Sequence, residues 1–257
     1  MKNPSSGRSA IKTHITKIAT ADFQIAGFQS GSALQLAEHE AHIWHIDLNE
    51  SADAEFRWHE FLSADEKERA ARFHFERDRK NFSATRGLLR IVLAQYLGKS
   101  PQEMTFCYAE KGKPALAKAL YDNGNIQFNV SHSGEAALFG FTRKKQIGVD
   151  IEHIRRDVEI RTIARRFFSA QEQAELTTFP EAQQIQLFFR IWTLKESFIK
   201  ALGEGLSHPL DQFDVSVDPN SPPTLSTRPK AFDAQRWHLQ VLDAGADYGA
   251  AFAVAQR

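Results

Sequence analysis

The chain has 257 residues, 42% hydrophobic and 25% charged, and its 32 Lys and Arg balance its 32 Asp and Glu. That composition fits a globular protein of one large or two small domains, and no charge excess argues for a nucleic-acid or membrane partner. One cysteine, Cys107, excludes an internal disulfide and a cysteine-based metal cluster; with no apolar leader and no membrane-length apolar run, a cytoplasmic location is expected.

Residues 1–38 are polar and without clear period, and are expected to form a weakly ordered N-terminal extension. HIWHIDL (42–48) alternates and predicts a strand. Ser63, with Glu66 three residues on, has the capping-box pattern and opens the helix of SADEKERAARF. A second helix is predicted over 78–97, ending at Gly98. Strand 104–108, the KGKP turn at 111–114 and the turn cluster YDNGN at 121–125 follow, the last placing a subdomain boundary there.

The second half opens with strands 126–132, 136–142 and 146–152, read as an antiparallel meander. Helices are predicted at 160–167, 170–178 and 181–202, the last stopped by Gly203 and Gly205. A Pro-rich stretch reaching Pro229 and strands near 212–217, 237–242 and 248–255 complete the chain. The expected organisation is α+β: an N-terminal lobe over 39–124 and a C-terminal lobe over 125–257, each with strands and a long helix.

GVDIE (148–152) carries the first chemical signal. In a strand, Ile147, Val149 and Ile151 share one face, and Asp150 and Glu152 the other. That is either an ordinary solvated face or part of a divalent-cation site, since hard cations take oxygen ligands from one side of a cleft. The helix over 181–202 supplies a third acid. At about 100° per residue, Ile185, Phe188, Phe189, Trp192 and Ile199 form one apolar stripe, and Leu187, Ile191, Leu194, Phe198 and Leu202 the opposite one. Such a helix is sandwiched between layers. Glu196 falls inside the first stripe, with Lys200 one turn on. A simple i,i+4 ion pair explains the pairing but not an acid among aromatics; a cation shared with Asp150 and Glu152 explains both.

Basic and hydrogen-bonding groups recur in short clusters: Arg69, then Lys111 and Lys113 in KGKP, then Ser131 and His132 in NVSHSG. Singly each is weak, and Arg86 and Arg90 read as packing or surface residues. Together with three acids they suggest a substrate with a pyrophosphate and a further phosphate.

In order along residues 61–213, FLSADEKERAARF, DRKNFSATRGLLR, KGKPAL, FNVSHSGEAALFGF, GVDIE and WTLKESFIKALGEGL together resemble the 4′-phosphopantetheinyl transferases of the Sfp type. The resemblance implies a pseudodimer of two similar lobes, each a small antiparallel sheet packed on a long helix, with coenzyme A (CoA) in the cleft between them. It implies Mg²⁺ held by Asp150, Glu152 and Glu196, with Lys200 on the phosphates. It further implies CoA contacts from Arg69, Lys111, Lys113, Ser131 and His132. The implied reaction moves the phosphopantetheine arm of CoA to a serine of an acyl or peptidyl carrier protein, of fatty-acid, polyketide or nonribosomal-peptide type, releasing adenosine 3′,5′-bisphosphate. Glu196 is the candidate base. The expected state is a monomer that binds neither nucleic acid nor membrane. Asn81 stands where bacterial prototypes carry an arginine. Phe167 and Phe168, after Arg165 and Arg166, read as core residues or as a carrier-docking surface. Two other readings use the same residues: a Mg²⁺-dependent phosphohydrolase, and a non-catalytic CoA- or carrier-binding protein.

Overall fold

The computed structural model describes residues 11–19, 34–49, 58–121, 125–203, 208–227 and 233–256. Residues 1–10 and 20–33 of the expected extension, the centre of YDNGN, Gly205 and Pro229 lie outside them.

Two sheets face one another. The first runs β1 (Lys12–Ala19), β2 (Glu40–Asp47), β6 (Ala136–Arg143), β5 (Ile126–Ser133), in that spatial order. The second runs β10 (Trp237–Val241), β11 (Tyr248–Ala255), β7 (Ile147–His153). Two short hairpins, β3 (Phe106–Tyr108) with β4 (Pro114–Leu116) and β8 (Phe213–Val215) with β9 (Leu225–Thr227), lie at the periphery. Among the helices, α1 is Ala64–Ala71, α2 Glu76–Leu97, α3 Lys118–Tyr121, α4 Ile160–Phe167, α5 Ala170–Thr178 and α6 Glu181–Leu202.

Alternating side chains divide the apolar residues into three cores. One face of the first sheet (Trp44, Ile46, Phe128, Phe139, Phe141) packs on Leu88, Val92 and Tyr96 of α2. Its other face (Ile43, Leu138) meets Ile147, Val149, Ile151, Phe252 and Val254 of the second sheet. The far face of the second sheet (Leu239, Ala251, Ala253) packs on Phe188, Ile191, Leu194 and Phe198 of α6. The layers are therefore helix, sheet, sheet, helix, an α+β architecture in which each sheet rests on a 22-residue helix. Both long helices end as expected, on Gly98 (φ 62°) and Gly203 (φ 79°) in the left-handed region that glycine tolerates. Among the described residues no helix is long and apolar enough to cross a membrane.

Three expectations are corrected. Residues 12–19 of the supposed extension form a strand, paired in parallel with β2, so the first sheet is mixed, not antiparallel. The meander stops at β6, because β7 pairs with β11. Hydrophobic residues on both faces of β6 need cover from two layers, and only a strand in the second sheet supplies the inner one. The boundary drawn at 124/125 is crossed by the first sheet, since β6, from beyond it, pairs with β2.

Candidate active site

The acid strand and the long helix meet through a glycine. A Cβ on Gly148 would stand 2.0 Å from the Ser197 carbonyl oxygen and 2.4 Å from Ala201 N, so α6 lies directly on β7 at that point. Any side chain at 148 would lift the helix. Contact here brings Glu196 and Lys200 over Asp150. Lys200 Nζ donates to Asp150 Oδ1 at 2.5 Å and to Ser131 Oγ at 2.9 Å.

NVSHS positions the acids from the other sheet. Its residues at spacing two, Asn129, Ser131 and Ser133, face β7. Val149 N donates to Asn129 Oδ1 (2.9 Å), Ile151 N to Ser131 Oγ (3.4 Å) and His153 N to Ser133 Oγ (3.0 Å). Two strands of different sheets are thus stitched by side chains, not by a backbone ladder. The same hydroxyls donate onward: Ser131 Oγ to Asp150 Oδ1 (3.0 Å) and Ser133 Oγ to Glu152 Oε2 (3.0 Å). Ser131, expected to touch CoA, donates to Asp150 and accepts from Lys200. Asn129 was not anticipated, although the alternation in NVSHS is the signal that finds it.

Asp150, at 1% exposed, departs from the solvated-face reading of GVDIE, while Glu152 is half-buried; Glu196 on α6 is 9% exposed. Two of their oxygens, Asp150 Oδ2 and Glu196 Oε1, are shielded from solvent and have no hydrogen-bond partner. Burial, then the charge of Asp150, pushes the Glu196 pKa up to about 7, with Lys200 opposing. Burial and Asp150 also raise Glu152, against the pull of Ser133. The three acids sense one another, but they are not drawn tightly together. Among the described residues, only one group of three such side chains has all its ligand atoms within 4.8 Å, and it lies elsewhere. Here the Lys200 ammonium stands against Asp150 as the local cation.

A cavity of about 500 Å³ opens beside Glu196 and Lys200, walled by Lys111–Pro114, Asn129, Val130, Ile199 and Gly203. Lys111 is exposed on its rim, and Gly112 (φ 80°) makes the tight turn. Lys113 lines the same cavity and is already engaged by protein groups. Its ammonium donates to the carbonyls of Lys200 (2.6 Å), Ala201 (3.3 Å) and Ile147 (3.4 Å), capping the C-terminus of α6 where a cation is favourable. Burial lowers its pKa to about 8. His132 is exposed; desolvation, then the charges of Lys200 and Arg69, lower its pKa. Arg69 lies over the Phe82 ring at 5.2 Å, so Arg69, His132 and Lys200 border one region. Asn81 Nδ2 donates to the Gly134 carbonyl (2.9 Å), tying α2 to the turn after NVSHS. A second cavity, about 430 Å³, lies on the Glu152 side between Arg77, Ser133, Arg155 and Trp192. Arg86 and Arg90 are packing residues, as expected: both engage Glu66, at 3.4 and 2.7 Å. Phe168 is buried against Phe188, while Phe167 is half-buried against Trp192.

A cavity walled by Glu196 and Lys200 with Lys111 at its rim is the kind of site that enzymes acting on phosphorylated substrates present. Comparison with known proteins makes this specific. Residues 146–253 match the family model of the 4′-phosphopantetheinyl transferase superfamily, and residues 50–140 that of a 4′-phosphopantetheinyl transferase N-terminal region. The 4′-phosphopantetheinyl transferase HetI of a Nostoc species is 37% identical over 76% of this chain and 82% of its own. The transferase Sfp of Bacillus subtilis is 33% identical over 67% and 74%. Thermotoga maritima holo-[acyl-carrier-protein] synthase overlays 43% of this chain and 62% of its own, at 22% identity and a TM-score of 0.34. The chain belongs to the 4′-phosphopantetheinyl transferase superfamily and is an enzyme of the Sfp type.

Proposed function

We propose that the cleft binds CoA with Mg²⁺ and transfers the phosphopantetheine arm to a serine of an apo carrier protein, releasing adenosine 3′,5′-bisphosphate. The observation that carries this reading is the pair of buried, unpartnered oxygens, Asp150 Oδ2 and Glu196 Oε1, close to the Lys200 ammonium and next to a cavity that Glu196, Lys200 and Lys111 line. Leaving buried carboxylate oxygens unsatisfied costs about 1–3 kcal/mol each, a cost an incoming ligand relieves. The donor set, carboxylates with one more acid nearby, suits a hard cation. Asp150, Glu152 and Glu196 would hold it. Bound there, Mg²⁺ would neutralise charge on the phosphates as the bond to the leaving group breaks.

The chain's own residues supply the rest. Lys200, released from Asp150, is placed to meet the phosphates. Lys111, which lines the cavity, together with Arg69 and His132, would supply donors for the remaining phosphate. Glu196, directly or through a water, would take the proton of the attacking serine. The bond that forms joins the serine oxygen to the β-phosphorus of CoA; the bond that breaks frees the bisphosphate. Asn129, Ser131 and Ser133 hold the acids in register, and Lys113 fixes the end of α6. The two sheets, each on its own long helix, are read as a pseudodimer with its cleft where β5 meets β7. One chain then contains the whole site, so a cytoplasmic monomer is proposed.

The test is the intact mass of apo carrier proteins of the fatty-acid, polyketide and nonribosomal-peptide types after incubation with CoA and Mg²⁺. A gain of one phosphopantetheine, absent with Asp150→Asn, is expected. Release of free phosphopantetheine without any carrier gain would favour the hydrolase reading, and CoA binding without either product the non-catalytic one.

A further inference from the structure

Away from the cleft, one cluster of ligating side chains has no part in the reaction. His14 on β1 and His42 on β2 are directly paired in the parallel ladder, and Glu40 stands two positions before His42 on the same face. His14 Nε2 lies 3.4 Å from Glu40 Oε1, and His42 Nε2 lies 3.6 Å from Glu40 Oε2. One ligand atom from each residue falls within 4.8 Å of the other two, the only such trio among the described residues.

These spacings make poor hydrogen bonds and good coordination edges. His14 Nε2 is shielded from solvent and makes no well-formed hydrogen bond. Two atoms bound to a tetrahedral zinc at 2.0–2.1 Å stand roughly 3.4 Å apart. The outer groups are already oriented. Tyr96 Oη accepts from Trp44 Nε1 at 3.2 Å and bonds His42 Nδ1 at 2.8 Å. A phenol oxygen has lone pairs for both. In the tautomer whose Nδ1–H donates to Tyr96 Oη, His42 Nε2 presents a lone pair toward the carboxylate, and this is the form that a cation between them would select. Ala37 N donates to Glu40 Oε2 at 3.0 Å and fixes the carboxylate. Lys12 Nζ, 3.9 Å from Glu40 Oε1 on a largely exposed side chain, neutralises it only from the solvent side.

We propose that His14, Glu40 and His42 form a second metal site, selective for a borderline divalent cation of the zinc class, which fastens edge strand β1 to β2. Two imidazoles and a carboxylate favour zinc over magnesium. The site is independent of the acid cleft. It makes the docking of the N-terminal strand respond to zinc rather than to substrate.

Zinc titrated into the untagged, chelator-stripped full chain is the test, read by calorimetry and thermal unfolding. Wild type is expected to bind one equivalent more than His14→Ala, and its melting temperature to rise with zinc where that of His14→Ala does not. Asp150→Asn is expected to keep that equivalent, which separates it from the cleft. Tyr96→Phe is expected to weaken binding by about 10–100-fold. His14→Cys, which returns a zinc ligand, is expected to recover the equivalent, so a failure of His14→Ala to dock β1 would not be mistaken for lost coordination. Equal stoichiometry and equal thermal shifts in wild type and His14→Ala would overturn the proposal.

Discussion

Glu172 and Asp150 are each 1% exposed, and each contacts a lysine on α6, Lys195 at 2.8 Å and Lys200 at 2.5 Å. Their surroundings differ. Glu172 also accepts from Ser169 N and Val215 N, and Lys195 uses its remaining donors on the carbonyls of Leu210 (2.7 Å) and Phe213 (2.6 Å). Every strong valence in that cluster is met. Around Asp150 the same ingredients leave Asp150 Oδ2 and Glu196 Oε1 empty-handed. Buried charge that is fully bonded holds a fold together; buried charge left incomplete lowers stability and marks a place for something else.

The closed cluster is the one to break first. Lys195→Met leaves the Glu172 carboxylate buried and uncompensated, and is expected to cost about 3–5 kcal/mol in urea unfolding. Adding Glu172→Gln should recover part of that loss, since the stranded charge is then gone.

Removing charge from the open cluster should do the opposite. The folded pKa of Glu196, raised from 4.5 to about 7, means the native state holds its proton more tightly than the unfolded chain. Stability therefore falls as pH rises through that window. Glu196→Gln lacks the penalty. Without divalent cations it is expected to be more stable than wild type above about pH 7, by roughly 3 kcal/mol, with the advantage gone near pH 4. Urea midpoints at the two pH values decide it, and equal midpoints at high pH would mean the carboxylate is already neutralised.

Mg²⁺ should close the open cluster. At a hundredfold excess over its Kd it is expected to add about 2.7 kcal/mol to wild type and much less to Asp150→Asn, read as a shift in melting temperature. The smallest effect is expected at the stitching. Ser133→Ala removes the donor to Glu152 and the acceptor of His153 N, for a loss of about 1 kcal/mol in urea unfolding with the fold intact.

The elements that were legible in the chain are those with strong local signals. The helices over 160–167, 170–178 and 181–202 begin and end as expected, because caps, glycine stops and apolar period all act within a few residues. The acids of GVDIE and KESFIK were legible because each breaks an apolar pattern. Lys113 was not, since a KGK turn looks the same whether its second lysine meets a ligand or caps a helix 87 residues away. Lys195 was invisible for a similar reason: its partners, Glu172, Leu210 and Phe213, are assembled by the fold.

By itself, then, the sequence determined every helix but the short α3, most of the strands, the three acids and the family to which the chain belongs, because these are written in spacing and residue type. Tertiary structure decided which strand joins which sheet, that β1 pairs in parallel, and which buried charges are complete. Those outcomes turn on contacts between distant segments, where one glycine lets a helix touch a strand and two serines choose the carboxylates they hold.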